Sequence, residues 1–192
     1  MRYAVLGGPD DGPTLLLDWE SFSYAGKFVM SNTGKAVAYE GEPVESRDDW
    51  PPDAREADDP VEDVVGAVSF NEDRTDSGTA WLRYVTVRDD RRGDGVGARL
   101  CAFAADGLLD EYERVRIAVN NPFAFEALHK AGFGFTGRET GIAELVLERP
   151  CENPAASYQD GLDCYRERDL SSEERAFLER KRGASPPATL DA

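Results

Sequence analysis

Lysine and histidine are scarce in this 192-residue chain: Lys27, Lys35, Lys130 and Lys181 are the only lysines, and His129 is the only histidine. Arginine therefore carries nearly all the positive charge, and 38 acidic residues against 22 basic ones leave a formal charge of −16. That sign argues against nucleic acid, whose phosphates demand a basic surface, and against anionic membranes. Cysteine is also sparse. Cys101, Cys151 and Cys164 are too few and too irregularly spaced for a disulfide framework or a zinc site, so no metal is expected and a reducing cytoplasm is. Met1 to Gly8 has no long apolar stretch, and no segment reaches the roughly 18 apolar residues of a membrane span, which points to a soluble intracellular protein.

Glycine, by contrast, is concentrated where it matters most. Ala80 to Val87 is β-branched and aromatic and reads as a strand, Val96 to Leu109 reads as a helix, and Gly93, Gly95 and Gly97 lie at their junction. Glycines let the backbone turn tightly and approach a ligand without Cβ interference, and the helix start adds unpaired N–H donors and partial positive charge. Such a loop suits a phosphate. A nucleotide triphosphatase loop would need Gly-Lys-Ser/Thr, whereas here Gly97-Ala98-Arg99 offers no Mg²⁺ ligand. A dinucleotide fingerprint needs a different glycine spacing and an acid closing the next strand, and Arg114 to Asn120 does not end in one. The run Arg92-x-x-Gly95-x-Gly97, a few residues after Val87, resembles the pyrophosphate-binding motif of the GNAT superfamily of N-acetyltransferases.

A second run matches the same family. Asn121, Ala124 and Gly132-Phe133 fall at the spacing of its second motif and in the right order. Between the two helices Val115, Ile117 and Val119 alternate with Arg114, Arg116 and Ala118 as in a half-buried strand. The resemblance covers roughly residues 64 to 148 and implies an α/β (α+β) fold with a mixed, mostly antiparallel central sheet flanked by helices.

Along the chain, Arg2 to Leu6 reads as a first strand closed by turn residues. Residues 14 to 40 are ambiguous: Thr14 to Leu17 and Lys35 to Tyr39 read as strands, the family pattern would put helices there, and short or irregular structure is expected. Gly41 to Asp63 holds ten acids and several prolines, and reads as an exposed, mobile acidic loop. Val64 to Phe70 pairs with Ala80 to Val87 around a polar turn, Asn71 to Thr79; Phe133 to Thr136 and Ala143 to Glu148 close the sheet, with Gly137 and Gly141 in their turn. The domain thus spans 1–150, and 151–192 is a C-terminal helical extension. In it, Tyr158, Leu162 and Tyr165 recur at helical spacing, Ser171-x-x-Glu174 is a capping box for a helix ending near Gly183, and Ser185 to Ala192 frays. The extension packs back or meets a partner, a homo-oligomer included.

The resemblance implies acetyl-CoA as cosubstrate and Arg92, Gly93, Asp94, Gly95, Val96 and Gly97 as its pyrophosphate cradle. Arg88, Arg91, Arg92 and Arg99 form a locally basic patch there; solvated arginines at a structural turn are the alternative. It further implies that Val85 and Val87 pair with pantetheine through their backbone, an N–H near Val87 polarising the thioester carbonyl. Asn121 caps its helix or contacts pantetheine. Leu128 stands where many members carry the Tyr that protonates the departing thiolate, and Asp89 where many carry Pro. Tyr84 or a water then serves as acid, or positioning carries the catalysis, or the protein binds CoA without turnover. His129 reads as exposed rather than catalytic, and Cys101 as core.

The function expected is transfer of acetyl from acetyl-CoA to a primary amine, of a small molecule or a protein, by direct attack. A non-catalytic CoA-binding module is the alternative, and an interaction protein working through its C-terminal helices is a third reading. The acid-rich, lysine-poor composition looks like that of proteins from halophilic microbes; an ordinary acidic cytosolic protein has the same signature.

Overall fold

The computed structural model describes residues 1–47, 50–52, 54 and 57–190. Its elements in chain order are β1 (Arg2–Leu6), α1 (Ala25–Met30), β2 (Gly34–Tyr39), β3 (Val64–Glu72), β4 (Thr79–Val87), α2 (Val96–Leu108), β5 (Arg114–Val119), α3 (Pro122–Lys130), β6 (Gly134–Glu139), β7 (Leu145–Arg149), α4 (Pro154–Arg166) and α5 (Ser172–Arg180). The seven strands form one sheet in the order β1-β2-β3-β4-β5-β7-β6. Every neighbouring pair is antiparallel except β4 and β5, which α2 joins as a parallel crossover.

Each face of the sheet buries its own core. Ala36, Val68, Leu82, Val115 and Leu147 face α2 and α3, while Val37, Tyr39, Val64 and Ala67 face α1 and the segment before it. Lys35–Tyr39 falls within β2, but Thr14 to Leu17 is not a strand. Its leucines Leu15 and Leu17 are buried, and its backbone bonds run to Phe28 and Val61 instead of a sheet neighbour. Burial without a ladder looks like a strand in sequence because both need the same apolar side chains. Gly137 is not in a turn either: β6 continues through it to Glu139, with a register irregularity between Phe135 and Glu139.

The acidic segment 41–63 is docked where it is described. The Trp50 ring lies 5.2 Å from that of Tyr39, the Arg47 guanidinium covers both rings and pairs with Asp63, and the Val61 N–H donates to Leu16 O at 3.0 Å. Residues 48, 49, 53, 55 and 56 of this loop lie outside the described residues.

The C-terminal helices join the main core. Tyr158, Leu162 and Tyr165 are fully buried in the cluster that holds α2 and α3, and Gly161 lets α4 approach so closely that a Cβ there would stand 2.2 Å from Phe125 Cζ. The Ser171–Glu174 capping box is present and starts α5, which ends at Arg180. Past it the chain is tied down rather than frayed: Gln159 Nε2 donates to Lys181 O and Ala184 O, and the Leu190 N–H donates to Lys130 O at 2.7 Å. Asp191 and Ala192 lie outside the described residues. No helix among the described residues is long and apolar enough to cross a membrane.

Candidate active site

Strands β4 and β5 pair only from Thr79–Arg114 to Leu82–Ile117 and then separate. At the same point the β3–β4 register passes from Phe70–Leu82 to Ser69–Tyr84 and leaves Arg83 without a partner, a β-bulge. The extra residue reverses the alternation of β4. Ala80 and Leu82 face α2, and beyond the bulge so do Val85 and Val87, while Tyr84 turns to the opposite face. A cleft of about 750 Å³ opens in the gap, at the carboxyl ends of the two parallel strands where α2 and α3 begin. Ser23 and Tyr24 from the other face of the sheet complete its wall, so the gap connects both faces.

The loop wall is made by Arg92, Gly93, Gly95, Val96 and Gly97. Gly95 is the N-cap of α2 with φ of 77°, a left-handed conformation that favours glycine, and no side chain caps the helix. The starts of α3, α4 and α5 are each capped, by Asn121, Asn153 and Ser171. The first N–H groups of α2 are thus left open where the cleft lies.

The strand wall is Val85 and Val87. Because the Arg88 N–H points to Val65 O on β3 at 3.0 Å, alternation turns the backbone groups of Val87 the other way, toward the gap. Asn121 lines the cleft and caps α3, its Oδ1 accepting from the Ala124 N–H at 2.8 Å, so the cap is the reading seen here.

Other sequence expectations change in the structure. Asp94 is exposed and outside the cleft wall, its carboxylate 3.6 Å from Arg91. The basic patch is compensated: Arg88 pairs with Asp90, Arg91 with Glu40 and Asp94, Arg92 with Asp89, and Arg99 donates to Asp94 O. Three arginines meet four carboxylates and the fourth, Arg99, a backbone carbonyl, and the sequence spacing could not show Glu40 arriving from the end of β2. Tyr84 is half-buried with its ring 6.1 Å from that of Tyr24, outside the cleft wall.

His129 is the clearest correction. It is 2 % exposed rather than solvated, wedged between the rings of Phe125 and Tyr158 at 4.7 and 4.9 Å, and neither ring nitrogen has a partner. Burial pushes its pKa down to about 4 against a smaller opposing pull from Glu126. The C-terminal helix α4 buries it, and nothing in the sequence of α3 announces that. Beside it, Glu126 accepts from Tyr158 Oη at 3.0 Å and pairs with Lys181 at 2.7 Å and Lys130 at 3.3 Å. Burial raises the Glu126 carboxyl, but these donors outweigh it and hold the group below its ordinary value.

Leu128 lines the cleft and brings no proton donor. Cys101 is core, as its helix face predicts, and also touches the cleft; burial pushes its thiol up to about 12. Sequence reasoning missed Thr86. It lines the cleft, is 4 % exposed, and its hydroxyl has no hydrogen-bond partner. The signal was present in the β-branched run, but only the bulge tells which residues face the gap.

Known structures of similar shape include an acetyltransferase from Thermus thermophilus, 23 % identical over 47 % of this chain and 58 % of that one, TM-score 0.41. Nourseothricin acetyltransferase is 21 % identical over 62 % and 65 %, TM-score 0.44, and a Bacillus subtilis acetyltransferase in complex with CoA is 14 % identical over 60 % and 74 %, TM-score 0.43. This chain thus spans less than two thirds of the length of the first two. No curated protein sequence matches it. The model of the acetyltransferase (GNAT) family matches residues 15–135, a stretch that runs from the buried segment before α1 through both cleft-forming helices, and the chain belongs to that family.

Proposed function

We propose that the protein transfers an acetyl group from acetyl-CoA to a primary amine by direct attack in the cleft between β4 and β5. The observation that carries this reading is the uncapped start of α2, whose first N–H groups and glycines line the same cleft as the edge of β4 that β5 leaves, where Arg92 Nε donates to Val87 O at 3.3 Å. An anion such as the cofactor's pyrophosphate is stabilised by those donors and by the helix dipole. The arginine–carboxylate pairs around the loop are exposed and screened by solvent, so phosphate oxygens compete for the guanidinium groups readily.

The thioester arm lies along Val85 and Val87, and the Val87 N–H donates to the carbonyl oxygen as it gains negative charge. The amine lone pair forms the new C–N bond from the Ser23–Tyr24 side, the C–S bond breaks, and the sulfur leaves as a thiolate while the amine sheds a proton. A thiol pKa of about 8.5 makes this departure feasible without a strong acid. Cys101, raised to about 12, is a poor donor to such a thiolate. Among the described residues of the cleft wall, the buried Thr86 hydroxyl is left without a hydrogen-bond partner, and it is the group we assign to pass a proton. The acceptor is an amine of a small molecule or a protein, and the acid-rich composition supports a salt-adapted cytoplasmic setting.

Leu128 in the cleft wall favours one other reading, a CoA-binding module without turnover. Calorimetric titration of acetyl-CoA into the protein in molar KCl, followed by a thiol-release screen of amines, separates the two. Saturable binding with release supports the transferase, and binding with no release for any amine supports the module. Failure of the folded protein to bind overturns both.

A further inference from the structure

Tyr24 lines the cleft with its ring 60 % exposed, and its backbone is left-handed, with φ of 62° and ψ of 13°. Glycine takes that conformation freely, whereas a bulky side chain enters it only under strain. The turn around Tyr24 is fixed without its ring. Phe22, Ala25 and Phe28 are buried, the Asp89 N–H donates to Ser21 O at 3.0 Å, and Arg92 Nη2 donates to Ser23 Oγ at 2.8 Å. Packing thus gives no reason for a tyrosine here, and strain kept for an exposed side chain is typical of a ligand site. The Tyr24 ring lies 6.1 Å from that of Tyr84, tilted by 39°. Lys27, one turn further along α1, places its Nζ 5.4 Å from the centre of the Tyr84 ring and makes no ion pair among the described residues.

Charge along the wall separates the classes of amine that could enter. Among the described residues of the wall Glu126 is the only carboxylate, and Tyr158, Lys130 and Lys181 occupy it. At the rim Glu40 and Asp89 are paired with Arg91 and Arg92, and Asp18 accepts from Ser21 Oγ. A polyamine or a lysine-rich segment needs an unpaired carboxylate for its further charges, and in a chain with 38 acidic residues this wall offers none. It offers flat rings and a cation.

We propose that the acceptor is a small aromatic amine that also bears an acid group, of the aromatic α-amino acid type. Its ring packs on the exposed face of Tyr24, and Lys27 draws its carboxylate. The amine lone pair forms the C–N bond with the acetyl carbon, the C–S bond breaks, and the proton shed by the amine ends on the departing sulfur. This acceptor class rests on the acetyl-transfer reading of the cleft.

The test measures kcat/KM by thiol release at saturating acetyl-CoA, with the full chain and five amines: L-phenylalanine, phenethylamine, L-alanine, spermine and a lysine-bearing peptide. L-Phenylalanine is expected to exceed L-alanine and spermine by about tenfold, the effect of one aromatic contact. It should exceed phenethylamine, which lacks the carboxylate, by about threefold, as an exposed ion pair allows. Tyr24→Gly relieves the strain, so its melting midpoint should be equal or higher while the preference for phenylalanine over alanine falls about tenfold; Tyr24→Phe should keep that preference. Lys27→Gln should bring the ratio of phenylalanine to phenethylamine close to one. Wild-type protein that uses alanine, spermine or the peptide as well as phenylalanine, or a Tyr24→Gly variant with undiminished preference, would overturn the aromatic acceptor while leaving acetyl transfer intact. Equal use of phenylalanine and phenethylamine by the wild type would remove the acid group from the proposal. Saturable binding of acetyl-CoA with no thiol release for any of the five amines defeats this acceptor class and the transfer reading together.

Discussion

Gly95 combines a left-handed backbone with the open start of α2, and an added Cβ would stand 3.4 Å from the Arg99 guanidinium. A β-branched side chain is disfavoured there by about 1–2 kcal/mol and would also crowd the anion. Gly95→Val should therefore remove detectable acetyl-CoA binding while lowering the melting midpoint by only a few degrees; tight binding by the variant would refute the loop assignment. At Thr86 stability and activity are expected to move in opposite directions. Its buried hydroxyl has no partner, so Thr86→Val should stabilise the fold by about 1 kcal/mol. Turnover should fall about tenfold with the affinity for acetyl-CoA unchanged, and a variant as fast as the wild type would remove Thr86 from the reaction. Residue chemistry of this kind was partly legible: the glycines and Asn121 announce themselves by type and spacing, whereas the free hydroxyl of Thr86 is a property of its surroundings.

At the scale of elements, helix–helix packing governs His129. The rings of Phe125 and Tyr158 enclose it, Glu126 is the charged group that raises its pKa, and burial dominates, taking the value from 6.5 to about 4. A group depressed in the folded state contributes stability above its unfolded pKa and loses it as pH falls toward the folded value. The contact between α3 and α4 should thus weaken between pH 6.5 and 4, by about 3 kcal/mol at the lower end. The Glu126 carboxyl, held below its ordinary value of 4.5, begins to add its own loss as pH falls through that value and continues to do so below it. Thermal melts of the wild type and His129→Leu over this range check the point: the variant's profile should be markedly flatter, and parallel profiles would show that His129 does not titrate as described. The helical spacing of Tyr158, Leu162 and Tyr165 foretold a helix with one apolar face, but not that α3 would be its partner.

Across the whole molecule, charge sets the conditions for binding. A chain of formal charge −16 repels the polyanionic cofactor, and the arginines of the loop are compensated by four carboxylates. Raising salt shortens the screening length from about 10 Å at 0.1 M to about 3 Å at 1 M, which weakens the long-range repulsion more than contacts inside the cleft. Affinity for acetyl-CoA should improve as KCl rises toward molar levels. A steady loss of affinity across that range would mean that the loop's positive charge, and not the net charge, dominates.

By itself the sequence determined the strand–loop–helix unit around Gly95, the order and spacing of the two family motifs, and most of the strands, because these depend on periodicity and backbone freedom that each segment carries locally. Tertiary structure alone decided which face Tyr84, Val85 and Val87 present, since one unpaired residue at Arg83 reverses the alternation and only strand register reveals it. It also decided that β4 and β5 part after Leu82–Ile117, that Glu40 meets Arg91 across the sheet, and that α4 buries His129. Apolar spacing says that a surface will be covered; which surface covers it is settled by the closure of the whole chain.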